Sequence, residues 1–115
     1  MKEIKAYVQR EYVNRAVNEL QNAGAPGITI VEIHPVGYGY EPNYFEPRFD
    51  DVFKRYNCLR IVKLEIVCAD RDLDRLIEAI RKTCATGEKG DGMIFVSDVS
   101  GAVRIRDGAR GEQNL

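Results

Sequence analysis

Cys58-Leu-Arg-Ile-Val-Lys-Leu-Glu-Ile-Val-Cys68 alternates along its whole length. Leu59, Ile61, Lys63 and Glu65 fall on one face, and Val62, Leu64 and Ile66 on the other. A period of two with β-branched residues is the pattern of a strand that buries one side.

Toward the C-terminus, Asp70 stands where a helix cap belongs, and Leu73, Leu76, Ile77 and Ile80 form an apolar stripe that runs to about Cys84. A glycine-rich stretch follows, then Met93–Val96 as a fourth strand and Ala102–Arg106 as a short fifth. Toward the N-terminus, Ile28–Val36 is rich in β-branched residues and reads as a strand. Tyr12–Ala23 places Val13, Ala16, Val17 and Leu20 at helical spacing and stops at Gly24. Lys2–Gln9 alternates, with Ile4, Ala6 and Val8 on one face. The order β-α-β-β-α-β is that of an α+β, ferredoxin-like sandwich with both helices on one face of an antiparallel sheet. An uncovered sheet face predicts self-association.

Residues 37–57 interrupt this regularity. They hold Gly37, Gly39, Pro42, Pro47, four tyrosines and three phenylalanines, but no sustained period. A loop of that length inside a compact domain is uncommon and usually functional. Tyr40, Tyr44, Phe45, Arg48 and Phe49 are residue types that interfaces favour, and they are the candidates for partner contact. The same rings could instead pin the loop to the domain.

The totals fit one domain. The 115 residues carry 17 lysines and arginines against 18 aspartates and glutamates, so no global field points to nucleic acid or an anionic membrane. Apolar runs are strand-length, and Met1-Lys-Glu-Ile-Lys lacks the apolar centre of a signal peptide, which predicts a cytoplasmic protein. Cys58, Cys68 and Cys84 show no CxxC spacing and are expected as free, packed thiols. His34 is the one histidine, with no second to complete a metal site, and no Ser/His/Asp, Cys/His or metal-ligand constellation suggests an enzyme.

Chemistry concentrates in Thr86-Gly-Glu-Lys-Gly-Asp-Gly92. Gly87, Gly90 and Gly92 permit positive φ, so backbone N–H groups there can turn inward as an anion nest around Glu88, Lys89 and Asp91. The loop follows a helix and so meets its negative end, which means that cations must supply the attraction. Lys89 is one. Arg104 and Arg106, two apart on a short strand, would point to one side and offer a fork for phosphate oxygens. The plainer alternatives are a helix cap at Gly87, a tight turn at Gly-Asp-Gly, and two solvated edge-strand arginines. It is not a Walker loop, because the Gly-Lys-Ser/Thr ending is missing.

Read with its surroundings, the chain resembles the PII signal-transduction family. The matching stretches are Thr86-Gly-x-x-Gly-Asp-Gly92 with Ile94-Phe-Val96, Val103-Arg-Ile-Arg106, Lys63-x-Glu-Ile-Val67, Met1-Lys-x-Ile4 and Gly27-x-Thr29-x-x-Glu32. The resemblance implies a single PII-like domain over 1–115, typically a homotrimer with nucleotide sites in the clefts between subunits. It implies a non-enzymatic sensor of an adenine nucleotide (ADP, AMP or ATP) that controls a membrane transporter or a metabolic enzyme in nitrogen or carbon metabolism. Thr29 and Val67 match positions that line the adenine, and Gly37 matches the start of the long T-loop, running to about Asn57. Gly87–Gly92 match the B-loop around the phosphates, Arg104 and Arg106 match a basic pair that reaches across the subunit boundary, and 107–115 is expected as a flexible tail.

Departures from the family pattern carry information of their own. Met93 stands where the B-loop ends in lysine, and Ile61 where a second lysine reaches the phosphates, with Arg60 beside it. Tyr38 and Gly39 replace an arginine and a glutamine, which leaves magnesium and 2-oxoglutarate without the side chain that normally helps to hold them. Loss of two ammonium groups predicts a preference for ADP or AMP over ATP. Alternatives within the same fold are a PII-like regulator linked to a metal-efflux transporter and a ferredoxin-like oligomer that binds another small anion.

Overall fold

The computed structural model describes residues 1–37 and 60–115. The expectations for Tyr38, Gly39, Tyr40, Tyr44, Phe45, Arg48, Phe49 and Cys58 lie outside those residues. The elements run in the order β1 (Lys2–Gln9), a 3₁₀ turn (Arg10–Tyr12), α1 (Val13–Asn22), β2 (Thr29–Glu32), β3 (Ile61–Cys68), a 3₁₀ turn (Asp70–Asp72), α2 (Leu73–Cys84), β4 (Gly92–Asp98) and a last 3₁₀ turn (Glu112–Asn114). The strands lie in the order β2-β3-β1-β4, and every neighbouring pair is antiparallel. This is the ferredoxin-like α+β arrangement.

Period-two burial builds the sheet's inner face. Ile4, Ala6 and Val8 of β1 lie beside Ile66, Leu64 and Val62 of β3 in an unbroken register from Lys2↔Cys68 to Gln9↔Ile61. Val13, Ala16 and Leu20 of α1 and Leu76, Ala79, Ile80 and Cys84 of α2 close over them at 3–4 residue spacing. Ala6, Ala16 and Ala79 leave room for the helices to approach the sheet. Outside the core, Lys82 reaches Glu19 at 3.3 Å between the helices, and Arg75 donates to the Ala23 carbonyl at 2.8 Å where α1 ends.

The opposite face is mixed rather than apolar. Lys5 pairs with Glu3 at 3.3 Å and Lys63 with Glu65 at 2.8 Å, while the Tyr7 and Phe95 rings meet edge to face at 5.9 Å. The Lys63 bond holds the Glu65 carboxyl below its ordinary range and raises the Lys63 ammonium.

Four sequence expectations are corrected. The second strand covers Thr29–Glu32 instead of Ile28–Val36. Pro35 has no N–H to give to the ladder. Asp70 does not cap α2: its carboxylate takes the Met1 amino group at 3.0 Å, and the helix is entered through the 3₁₀ turn with no side-chain cap. The fourth strand extends to Gly92–Asp98, because Ser97 and Asp98 complete the ladder opposite Glu3 and Lys2. Ala102–Arg106 is not a strand. Val103 makes one isolated bridge to Arg110, and the chain reverses between them through bonds from Gly108 N–H to the Arg104 carbonyl and from Arg104 N–H to the Ala109 carbonyl, both 2.8 Å.

Cys68 and Cys84 are free and buried, and burial raises both thiols away from the reactive thiolate form. Among the described residues no helix is long and apolar enough to cross a membrane.

One backbone contact sets how β4 begins. Gly92 has φ 105°, and a Cβ built on it would lie 1.8 Å from the Tyr7 carbonyl oxygen. Gly92→Ala should therefore open the β1–β4 ladder and lower stability by about 2 kcal/mol or more. Urea unfolding of the variant and the parent protein measures this, and an unchanged midpoint would refute it.

Candidate functional site

α2 ends at Ala85, whose extended conformation terminates the helix while its N–H still bonds the Arg81 carbonyl. Gly87 is therefore not the helix cap. It begins a loop in which Gly87, Gly90 and Gly92 all have positive φ (84°, 101° and 105°), as an inward-turning backbone requires. Part of the nest is already filled by the chain itself. The Asp91 carboxylate accepts the N–H groups of Thr86 at 2.8 Å and Gly87 at 2.9 Å, together with the Thr86 hydroxyl. Thr86 Oγ1 in turn accepts the Glu88 N–H at 3.1 Å. These donors hold the Asp91 carboxyl below its ordinary range, with the Thr86 hydroxyl contributing most. From β1, Gln9 Nε2 donates to the Gly90 carbonyl at 2.9 Å and fixes the far side of the loop.

Glu88, Lys89, Gly90, Asp91, Gly92 and Met93 line a concavity of about 350 Å³, with Phe95 at its edge. Met93 is 55% exposed there, an apolar thioether where the sequence pattern leads one to look for an ammonium. Ile61 is 1% exposed and lies opposite Gln9 in an uninterrupted register, so β3 has not slipped to bring Arg60 into its place. The Arg60 carbonyl accepts the Arg10 N–H at 2.6 Å, and Arg10 pairs with Glu32 at 2.9 Å. Gly37, with φ 91°, comes five residues after β2, whose last residue Glu32 pairs with Val62.

Thr29 and Val67 are elsewhere. Together with Glu3, Pro26, Gly27, Glu65 and Leu115 they line a second cavity of about 310 Å³. Gly92 pairs with Val8, whereas Val67 pairs with Glu3. Five residues along β1 separate Val67 from Gly92 by roughly 17 Å at strand rise, and Thr29, level with Lys5, lies three residues away at roughly 10 Å. Arg104 and Arg106 follow the end of β4 that pairs with Lys2, so they belong to the Thr29 end and not to the loop's end.

The two arginines are not carried on a strand, although both approach the same Asp107 carboxylate. They stand in the reversal between Val103 and Arg110, and Arg104 already grips Asp107 with Nε to Oδ1 at 3.0 Å and Nη2 to Oδ2 at 2.7 Å. That grip raises the Arg104 guanidinium and depresses the Asp107 carboxyl. Arg106 is exposed, with Nη2 3.9 Å from the same Asp107. The structure thus brings together Glu88, Lys89, Gly90, Asp91, Gly92 and Met93, places Thr29 with Val67, and separates the two groups. Sequence reasoning did not anticipate the Thr86–Asp91 bonding, nor Gln9 at the loop and Leu115 in the lining of the second cavity. A threonine and an aspartate flanking a glycine run were a usable signal for the first, since both types bond nearby backbone. Nothing local marked the other two.

The family model for "Nitrogen regulatory protein P-II" matches residues 1–109. "Nitrogen regulatory protein P-II 2" of Methanothermobacter thermautotrophicus is 39% identical over 115 residues, spanning 98% of this chain and 96% of that one. "Nitrogen regulatory protein P-II" of Pasteurella multocida is 36% identical with both chains covered in full, and that of Rhizobium meliloti is 37% identical over 96% of each. With the fold, the glycine loop and these full-length similarities in agreement, the chain belongs to the nitrogen regulatory protein P-II family.

Proposed function

We propose that this chain is a cytoplasmic, non-enzymatic P-II regulator that binds an adenine nucleotide between subunits of a homotrimer and controls a transporter or metabolic enzyme through residues 37–57. The observation that carries the reading is the loop Thr86–Gly92, with three positive-φ glycines and a shape fixed by Asp91 and Gln9. It offers backbone donors and the exposed Lys89 to an anion.

The spacing of the two cavities supports a shared site. Along the sheet, Val67 is roughly 17 Å and Thr29 roughly 10 Å from the residue that ends the glycine loop of the same chain, and Arg104 and Arg106 come after the strand end that pairs with Lys2. A second copy that brings its Thr29 end to this loop supplies a base pocket and two guanidinium groups to the phosphates. In this arrangement Thr29 and Val67 meet the base, and Gly37 and Gly87–Met93 surround the phosphates. Arg104 and Arg106 →Ala should abolish ADP binding in calorimetry while the oligomer and its unfolding midpoint persist. Retained binding in the double variant would sink the assignment.

Charge at the loop sets the nucleotide preference. Glu88 and Asp91 contribute two carboxylates, Lys89 one ammonium, and Met93 and Ile61 none. A third phosphate adds negative charge where cations are few, so ADP or AMP should bind more tightly than ATP. Titration with the three nucleotides tests this, and ATP binding tightest would overturn it. Met93→Lys should raise ATP affinity by about tenfold through a charge-assisted contact.

The clamp at Asp91 makes the loop's shape depend on pH. A carboxyl held below its ordinary range stabilises the closed loop while ionised, and that contribution is lost as pH falls through its depressed value. The Thr86 and Gly87 amide resonances should therefore shift cooperatively in acid, below the normal carboxylate range, and the transition should be absent in Asp91→Asn. Resonances that remain flat in the parent protein through that range would rule the clamp out as the loop's fastening.

A further inference from the structure

The cavity at Thr29 and Val67 has one wall that comes from far along the chain. Leu115 lines it, although no strand or long helix carries that residue. A chain of short-range bonds puts it there. Gly111 N–H bonds the Ala102 carbonyl at 3.1 Å, and the Arg110 carbonyl accepts Asn114 Nδ2 at 2.8 Å and Gln113 Nε2 at 3.0 Å. Leu115 N–H closes the turn on the Glu112 carbonyl at 3.1 Å. Arg71, at the entry to α2, reaches Glu112 at 3.5 Å and ties the turn to the body of the domain.

We infer that Leu115 is a specificity-determining residue, the apolar wall against which a purine base packs in the cavity shared with Thr29 and Val67. The inference rests on the nucleotide reading above and names a residue that this reading does not use. The chemistry of the lining supports it. Val67 and Leu115 offer apolar surface, while the Thr29 hydroxyl and Glu65 carboxylate stand among them as polar groups for ring nitrogens or an exocyclic amine. Leu115 is 41% exposed and the cavity remains open at about 310 Å³ with its side chain in place. It is a wall and not a plug.

Calorimetry on the intact protein, Leu115→Ala and Leu115→Met, with ADP and with inorganic pyrophosphate as probes, tests the assignment. Leu115→Ala should weaken ADP roughly tenfold through loss of buried apolar contact, and Leu115→Met should stay within about twofold of the parent. Pyrophosphate, which lacks the base, should bind both variants as it binds the parent. Because the side chain is half-exposed, the unfolding midpoint should not move, which separates a binding role from a folding one. Unchanged ADP affinity in Leu115→Ala, or equal weakening of ADP and pyrophosphate, overturns the inference while leaving the nucleotide reading intact. A parent protein that binds no ADP overturns both.

Discussion

The Tyr7 carbonyl oxygen occupies the place where any residue but glycine at position 92 would carry its Cβ. That close approach fixes the point at which the chain leaves the glycine loop and joins β1. β1 is the middle of the structure: it pairs with β3 on one side and β4 on the other, and its even residues form the floor under both helices. The loop is consequently set by the same backbone that organises the core. Its two other fastenings, Asp91 to the Thr86–Gly87 amides and Gln9 to the Gly90 carbonyl, work on a segment whose exit is already determined. A rigid exit and a polar clamp give a loop of defined shape without burying it, as pre-organised anion recognition requires.

The parts legible in the sequence are those where one physical rule acts alone. β1 and β3 bury one face, so period two appeared undisturbed, and the stripes of α1 and α2 did the same at 3.6. The errors fall where pairing decides against local preference. Ser97 and Asp98 are poor strand formers, yet β1 offers them a ladder and they join it. Val103-Arg-Ile-Arg106 has good strand residues, yet among the described residues Val103 bridges only Arg110, and the segment turns instead. Asp70 had the right side chain for a cap, but the Met1 ammonium is a stronger partner than a backbone amide. The glycine loop's positive φ values were readable because only glycine takes them without strain. The carboxylate that fills the nest was readable only from Thr86 and Asp91 taken together, and the separation of Thr29 from Gly87 required the strand register.

That separation gives the interaction between Arg104 and Asp107 its meaning. A guanidinium has five N–H donors, and the fork onto Asp107 runs through Nε and Nη2. The aspartate therefore fixes the plane of the arginine while Nη1 takes no part in the fork. An arginine presented this way loses less freedom on meeting a phosphate than an unrestrained one, and its charge is partly offset until then. The glycine loop shows the complementary device, because Asp91 keeps its amides in order with a carboxylate of the chain's own. At each end of the proposed site an aspartate fastens the group that meets the ligand. With Met93 and Ile61 adding no charge, the proposed site leaves most of the attraction to the cations of a second copy. In the proposed arrangement nucleotide binding is coupled to assembly, since the loop brings Lys89 alone as a side-chain cation and the two arginines come from a second chain.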